Sequence, residues 1–302
     1  MFGKERSQVK PKKNILAQVI ISTVMILIIL TMIIPILNIF AKSFSDPALS
    51  PSMSGLRIIP VGFDLINYQI IFSHPVLIPS IFNSLLITIA GTCLNIFMTT
   101  SAAYVLVRPN LIGKKAIMVF LICMMLFDPG FVPEYLVVKD LGLMNSRWSV
   151  ILVTAVNVFY LVIMMRFFGE VPNEMHEAAT IDGAGHFRIF WQIYMPLAKS
   201  GIATLTMYYA VSRWNEYFRS GIYLLDSKKT TLQVILRQFV VMNSTETIVR
   251  AQDLLDYNEF AKIDVNALKA ATIVVAIVPI IIFYPIILRY IKGGVMTGAV
   301  KG

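Results

Sequence analysis

Between Lys13 and Lys42 lie 28 consecutive residues without a formal charge. About 20 helical residues cross the 30 Å of hydrocarbon in a bilayer. A helix also satisfies its own backbone hydrogen bonds where no water can. Composition extends the argument to the whole chain of 302 residues. Hydrophobic residues make up 57% and charged residues 14%, where a soluble domain runs near 25% charged. Such a chain is not disordered, not a basic nucleic-acid-binding domain and not an ordinary cytosolic enzyme; it reads as an all-α polytopic membrane protein. Cys93 and Cys123 both sit in apolar runs and are expected as buried thiols, not as a disulfide or metal pair.

Six transmembrane helices are expected. The run 14–41 is too long for a signal-peptide core and has no convincing small-x-small cleavage site, so it reads as an uncleaved first span. The second falls near 80–107, inside the uncharged stretch between Asp64 and Arg108. The third is interrupted: 116–127 is apolar, Asp128-Pro129-Gly130 follows, and 131–138 resumes around Glu134. The fourth is 148–165 and the sixth 270–288. The fifth, 201–225, carries Arg213, Glu216 and Arg219 in its second half.

If the N-terminus is inside, 14 of the 26 Lys and Arg residues fall on the inner face with only five acidic residues. The other face balances twelve against twelve, so the whole excess charge of +9 lies on one side. By the positive-inside tendency that side is the cytoplasm, with both termini cytoplasmic. Two long loops, 42–79 and 226–269, occupy the other face. No internal repeat is visible.

The segment between the fourth and fifth spans is the most informative. It opens as a helix, with Pro172 near the start and Glu174 and Glu177 in the early turns, where the helix dipole favours acids. Gly183 and Gly185 mark a reversal. Phe187, Phe190, Trp191 and Tyr194 then recur at helical spacing, which puts them on one face, and Pro196 resets the chain before the next span. Periodicity leaves two readings open: a rigid knob that docks a soluble partner, or an amphipathic loop lying on the bilayer.

The fixed positions carry more. Glu177-Ala178-Ala179, Gly183, Ile193 and Met195-Pro196 resemble the EAA loop, EAA-x3-G-x9-I-x-L-P, of ABC importer permeases. The one departure, Met for Leu at 195, nearly conserves volume. Trp214-Asn215 looks like the pair common in carbohydrate-type permeases. The tail from Gly293 to Gly302 and the broken third span with Val132-Pro133-Glu134-Tyr135-Leu136 are similar to the maltose-type subunits. The resemblance covers the chain from about Asn83 to its last residue, and is nearest to the permeases of complex-carbohydrate importers.

The resemblance implies a type I ABC importer permease fold in a multi-pass protein of the bacterial cell membrane. It divides the chain into 1–80 (tail, first span, outer loop), 81–291 (the transmembrane domain, with its EAA loop at 174–197) and 292–302 (the Gly-rich tail). It implies four kinds of partner: a second homologous permease subunit, a cytoplasmic ATPase dimer, an extracytoplasmic sugar-binding lipoprotein or periplasmic protein, and the oligosaccharide itself. Glu177, Ala178, Ala179, Asp182, Gly183, Ile193 and Pro196 are then the ATPase-coupling positions.

No catalytic, metal or cofactor site is expected in this chain, with ATP and Mg bound by the partner ATPase. The chain has no G-x-x-x-x-G-K-[ST], Gly183-Ala184-Gly185 lacks a third glycine, and His176-Glu177 lacks the second histidine of a zinc helix. Polar groups within spans tend to face a bundle interior or a cavity. On that ground Asn83, Tyr104, Asn157, Trp214, Asn215 and Glu216 are candidates for the substrate path, with interhelical hydrogen bonding or an interfacial aromatic belt as the alternative. An ABC permease for another solute such as peptides, an ion-coupled carrier and a membrane-embedded enzyme are the rival functions. The enzyme needs more convergent ionisable groups than the spans supply.

Overall fold

A computed structural model describes residues 15–127, 129–241 and 264–298. In chain order its helices begin with α1 (Ile15–Ser43), α2 (Ile66–Ser73) and α3 (Leu77–Val107). Next come α4 (Lys114–Leu126), α5 (Phe131–Asp140), α6 (Arg147–Val153), α7 (Val158–Gly169) and α8 (Asn173–Ile181). The remainder are α9 (His186–Ile189), α10 (Met195–Leu197), α11 (Lys199–Trp214), α12 (Phe218–Tyr223), α13 (Leu232–Leu236) and α14 (Val265–Gly298). Among the described residues there is no β-strand; Ser45 and Phe63 form an isolated bridge.

Three helices, α1, α3 and α14, are long and apolar enough to cross a membrane, and the bent pairs α4/α5 and α6/α7 raise the count to five. The α4/α5 pair turns through 113° around residue 128; the Asp128 expected at this bend lies outside the described residues. The fourth span, expected to be continuous, is instead broken at 154–157 and bends by 54°. The expected fifth span is the 16-residue α11 followed by the short α12, with Asn215 to Tyr217 between them.

The chain divides into two compact units, 1–69 with 258–274, and 70–257 with 275–302. In the first, polar side chains fasten the loop after α1. Asn67 Nδ2 donates to the Ser43 and Ser45 carbonyls, and Asn38 Nδ2 to those of Ser54 and Arg57. Asp264 caps α14 by accepting from the Asn266 N–H at 2.8 Å. The same carboxylate takes the Ser50 hydroxyl and pairs with Lys42 at 3.8 Å.

The second unit is organised around α3, whose polarity is inverted. Its buried face carries Ser80, Ser84, Gly91, Asn95, Thr99 and Ala103, spaced by four residues or by seven. Phe82, Ile89, Phe97 and Val105 are exposed. In hydrocarbon this is the stable arrangement, because small residues admit neighbouring backbones and buried polar groups find partners. Helices α7 and α11 pack on that face. Both cysteines are exposed on the chain surface, a correction to the expected burial: within a span an apolar neighbourhood marks the outer face as readily as the core.

Arg213 holds this bundle together. It is 6% exposed, and its Nε donates to Asn95 Oδ1 at 2.9 Å. Its two terminal nitrogens reach the carbonyls of Val150, Ile151 and Thr154. Those are carbonyls from the last turn of α6 and the residue after it, which lose their helical partners where the span breaks. Asn95 Nδ2 covers the Ala155 carbonyl as well, at 2.8 Å. Gly91 makes room: a Cβ there would lie 2.9 Å from Arg213 Nε and 3.1 Å from its Cζ. Gly91→Ala must displace a guanidinium fixed by these bonds, a cost of about 1–3 kcal/mol. A lowered midpoint of thermal unfolding in detergent is expected. Gly221→Ala, whose nearest neighbour would be Val234 at 3.7 Å, should leave that midpoint unchanged.

Candidate coupling loop and the broken span

The segment 173–197 forms two short helical arms about a tight corner. Helix α8 ends in a Schellman arrangement: the Ala184 N–H bonds the Ala179 carbonyl at 2.9 Å and the Gly183 N–H bonds that of Thr180 at 3.0 Å. Gly183 sits at φ +80° with nothing within 4 Å of a Cβ, so the demand for glycine comes from the backbone alone. Ala179 and Ala184, which face each other across the corner, both pack against the main apolar core. Small side chains here bring the corner close to the bundle.

The other face of α8 is open. Glu174, Glu177, Ala178 and Ile181 are exposed, as is Asp182 just past the helix. Ile181 is 86% exposed and Phe187 across the corner 76%.

The second arm is more continuous than the spacing suggests. It runs as α9, a π-helical turn Phe190–Tyr194 and α10. The wide turn lies just before Pro196, whose missing N–H and ring would otherwise break a regular helix. Pro196 therefore does not reset the chain. The aromatic quartet also divides. Phe190 and Tyr194 are buried, while Phe187 and Trp191 meet edge to face on the outside at 6.2 Å. Ile193 is half-buried against the core, and Pro196 is exposed.

The root of this arm is an aromatic cluster. Tyr104 on α3 meets Phe190 at 5.3 Å and Tyr194 at 5.1 Å, and Phe168 on α7 meets Tyr194 at 5.4 Å, all edge to face. The Tyr104 hydroxyl donates to the His186 carbonyl at 3.1 Å. Arg108 lies over the Tyr104 ring at 4.2 Å and near that of Tyr194 at 5.3 Å. Tyr104, a candidate for the substrate path, is thus packed into the root of the loop.

The other path candidates scatter. Asn83 is buried; it donates to the Lys228 and Thr230 carbonyls and accepts from Arg147. Trp214 is buried and its Nε1 donates to the Ala276 carbonyl on α14 at 3.1 Å. Glu216 pairs with Arg219, which also forms a two-pronged bond to Glu134 at 2.7 and 2.9 Å. Asn157 and Asn215 are exposed. Asn157 caps α7 by accepting from the Tyr160 N–H, and its own N–H reaches the Tyr209 hydroxyl, which is bonded to Thr99. A cavity of about 270 Å³ between α3, α11 and α14 is lined by Leu85, Thr92, Met207, Trp214 and Pro279 among others, too apolar for a sugar. Among the described residues no group of three or more His, Cys, Asp or Glu could hold a metal.

Comparison with known proteins decides what kind of bundle this is. The model of the binding-protein-dependent transport system inner membrane component matches residues 91–296. The chain belongs to that family. The family's permeases are subunits of transporters whose ATPase is a separate chain, so this inner-membrane, multi-pass subunit is not an enzyme. The chain is 36% identical over 290 residues to the polygalacturonan/rhamnogalacturonan transport system permease protein YtcP of Bacillus subtilis, covering 96% of this chain and all of the relative. The melibiose/raffinose/stachyose import permease protein MelC of Bacillus subtilis is 30% identical over 81% of this chain and 84% of its own length. Among solved structures, a bacterial ABC transporter involved in import of the acidic polysaccharide alginate has a chain with TM-score 0.82 and 28% identity. That match covers 94% of this permease and 99% of the other chain, and the shared architecture is the type I ABC permease fold.

Two tests address the loop. At the left-handed Gly183 position a β-branched residue costs about 1–2 kcal/mol, and Asn much less. Gly183→Val is expected to weaken ATPase docking and uptake while Gly183→Asn retains most of both, measured by co-purification and vesicle transport. His176, stacked on His186 at 6.4 Å and facing Tyr194, has its pKa lowered from 6.5 by burial, then by Arg108 and His186, with Glu177 opposing. A depressed histidine favours the fold while neutral. Its contribution is therefore full above pH 6.5 and is lost as pH falls below that value. Docking of the ATPase should weaken on acidification, and His176→Gln should flatten that dependence.

Proposed function

We propose that this chain is one of two permease subunits of an ABC importer for oligosaccharides, working by alternating access. An ATPase dimer that binds ATP and Mg docks on the loop 174–197, and an extracytoplasmic sugar-binding protein delivers the solute. The chain crosses the membrane six times, α11 with α12 supplying the fifth crossing, and both termini are cytoplasmic. The one-sided charge excess supports that sidedness. Glu177, Ala178, Asp182 and Gly183 form the docking corner; Ala179 and Ile193 fix the corner and its second arm to the bundle, and the exposed Pro196 ends the wide turn of that arm.

The observation that carries this reading is the pairing of an exposed face on α8, rimmed by Ile181 and Phe187, with a rigid aromatic root on α3 and α7. A knob fastened that way moves with the spans when its partner moves, as a packed two-state element requires. The relatives named above are permeases for polygalacturonan/rhamnogalacturonan transport and for melibiose/raffinose/stachyose import, and the solved structure is of a transporter involved in the import of alginate. The substrate is accordingly an oligosaccharide, with oligogalacturonides and raffinose as the acidic and neutral probes.

The reading is tested by purifying the full complex and loading it into vesicles. ATP-dependent uptake of one of these probes is expected, abolished when the ATPase is omitted. Solute movement by the subunit alone would overturn it. An Ala178→Asp variant should remain in the membrane and lose both ATPase binding and uptake.

A further inference from the structure

The loop that follows α1 folds back along the helix it leaves. Its two ends are clasped together. The Asp46 N–H bonds the Val61 and Gly62 carbonyls at 3.1 and 2.8 Å, and the Asp64 N–H bonds that of Phe44 at 3.0 Å. Ser45, buried beneath the clasp, donates its hydroxyl to the Ala41 carbonyl and accepts the Val61 N–H. Between the clasped ends the flap turns at Ser54 to Arg57, where the Arg57 N–H returns to the Ser54 carbonyl at 3.1 Å. The Ser54 and Arg57 carbonyls both accept from the Asn38 side-chain amide, at 3.0 and 2.7 Å. Asn38 stands five residues before the end of α1 at Ser43, about 7.5 Å of helical rise. The tip of the flap therefore points back down the helix.

That direction fixes its depth. The span Gln18–Ser43 has 26 residues, about 39 Å of helix, which matches a bilayer with its headgroup layers. Ser43 then stands at the aqueous edge of one headgroup layer, and the flap tip near the boundary between headgroups and acyl chains. Aromatic side chains mark the same end of the helix. Phe44 meets Phe63 at 5.8 Å and Tyr68 at 4.9 Å, and the Tyr68 hydroxyl is bonded to that of Ser43, as in an interfacial belt.

The flap turns its apolar groups outward. Leu56, Ile59 and Phe63 are 78%, 67% and 73% exposed and Ile58 is 49% exposed. Leu37, next to Asn38, is 41% exposed, so the bare apolar surface of α1 runs up to the tip. Arg57 is exposed among these groups and enters no ion pair among the described residues. Its stem can lie along apolar chains while the guanidinium reaches phosphate. A protein partner could cover Leu56 and Ile59 as well, but it gives no reason for a lone cation among them or for a tip turned down the span.

We propose that the flap 54–63 is an interfacial lipid anchor. Leu56, Ile58, Ile59 and Phe63 enter the acyl boundary of the leaflet at which α1 ends, and Arg57 holds the phosphate of an anionic headgroup. The inference needs only the membrane position of α1 and stands apart from the importer reading. Through Ser50, whose hydroxyl is bonded to Asp264 at the start of α14, the same flap fixes the height of two spans at once.

The test uses the complete complex, otherwise free of cysteine, in vesicles of phosphatidylethanolamine and phosphatidylglycerol. Nitroxides are placed by Leu56→Cys and Ile59→Cys, with Ala48→Cys, exposed at the clasped base, as the aqueous control. Oxygen, which concentrates among acyl chains, should relax the labels at 56 and 59 more than a water-soluble nickel chelate does, and the order should reverse at 48. Dominance of the chelate at 56 and 59 would overturn the proposal by placing the tip in water. Protection from both reagents would overturn it by placing the tip against another protein chain. A second arm puts a fluorophore on Ile59→Cys and compares quencher-labelled lipids. An anionic quencher should act about twofold to fivefold more strongly than a zwitterionic one at equal content. Arg57→Gln should remove that preference and leave the oxygen preference in place. Equal quenching with Arg57 present would overturn the headgroup assignment.

Discussion

A guanidinium buried in the helical bundle sets the terms for the rest of this subunit. Arg213 has no ion pair among the described residues and is bonded instead to Asn95 and to three carbonyls at the end of α6. Each side of that exchange would be costly alone. An unpaired charge is expensive in lipid, and so are carbonyls freed by a helix break. Joined, they cancel much of each other's cost and fix a 54° bend in a span. The bend in turn needs a small residue beneath the arginine, which is why Gly91 lies on the buried face of α3. It also needs a second fastening where the chain restarts, and Thr99, Tyr209 and Asn157 provide it. The inverted polarity of α3 follows from these demands: Asn95 and Thr99 point inward because the break is there to be served.

The same core reaches the loop 173–197 without interruption. Leu161, Met164 and Phe168 of α7, Leu205 and Tyr209 of α11, and Phe190 and Tyr194 of the loop belong to one buried cluster. Close-packed interiors pass displacement on and do not absorb it. A force applied at Ile181 or Phe187 is therefore delivered to α7 and α11. The proposed coupling surface and the broken span are two ends of one packed body, with Arg108 and Tyr104 at the joint.

Much of this was legible in the chain. The uncharged runs announced the spans, the fixed positions from Glu177 to Pro196 announced the loop, and Gly183 announced its corner. Other features were hidden for physical reasons. The break at 154–157 carries no Pro or Gly; it is held by Asn95 and Arg213, far away in sequence. The signal that would have exposed it is the spacing of Ser84, Gly91, Asn95 and Thr99 on α3, a polar face inside an apolar run. The aromatic quartet after Gly185 divides because a π-helical turn changes the register, and only Pro196 hints at that turn. Tyr104 and Trp214 look like lining residues by chemistry alone, yet each spends its polar atom on a carbonyl of a neighbouring segment.

The helix least recognisable as a span is α11, which ends after 16 residues and carries Arg213 in its last turn. A helix that faces lipid on one side and protein on the other is apolar almost all round, as α1 and α14 are, and hydropathy finds it. A helix that lines a water-filled route must carry hydroxyls and amides on the route side, and its average falls. α11 has Thr204, Tyr208, Ser212 and Asn215 along one side and a buried arginine on another, and at 16 residues it is also short for a single crossing.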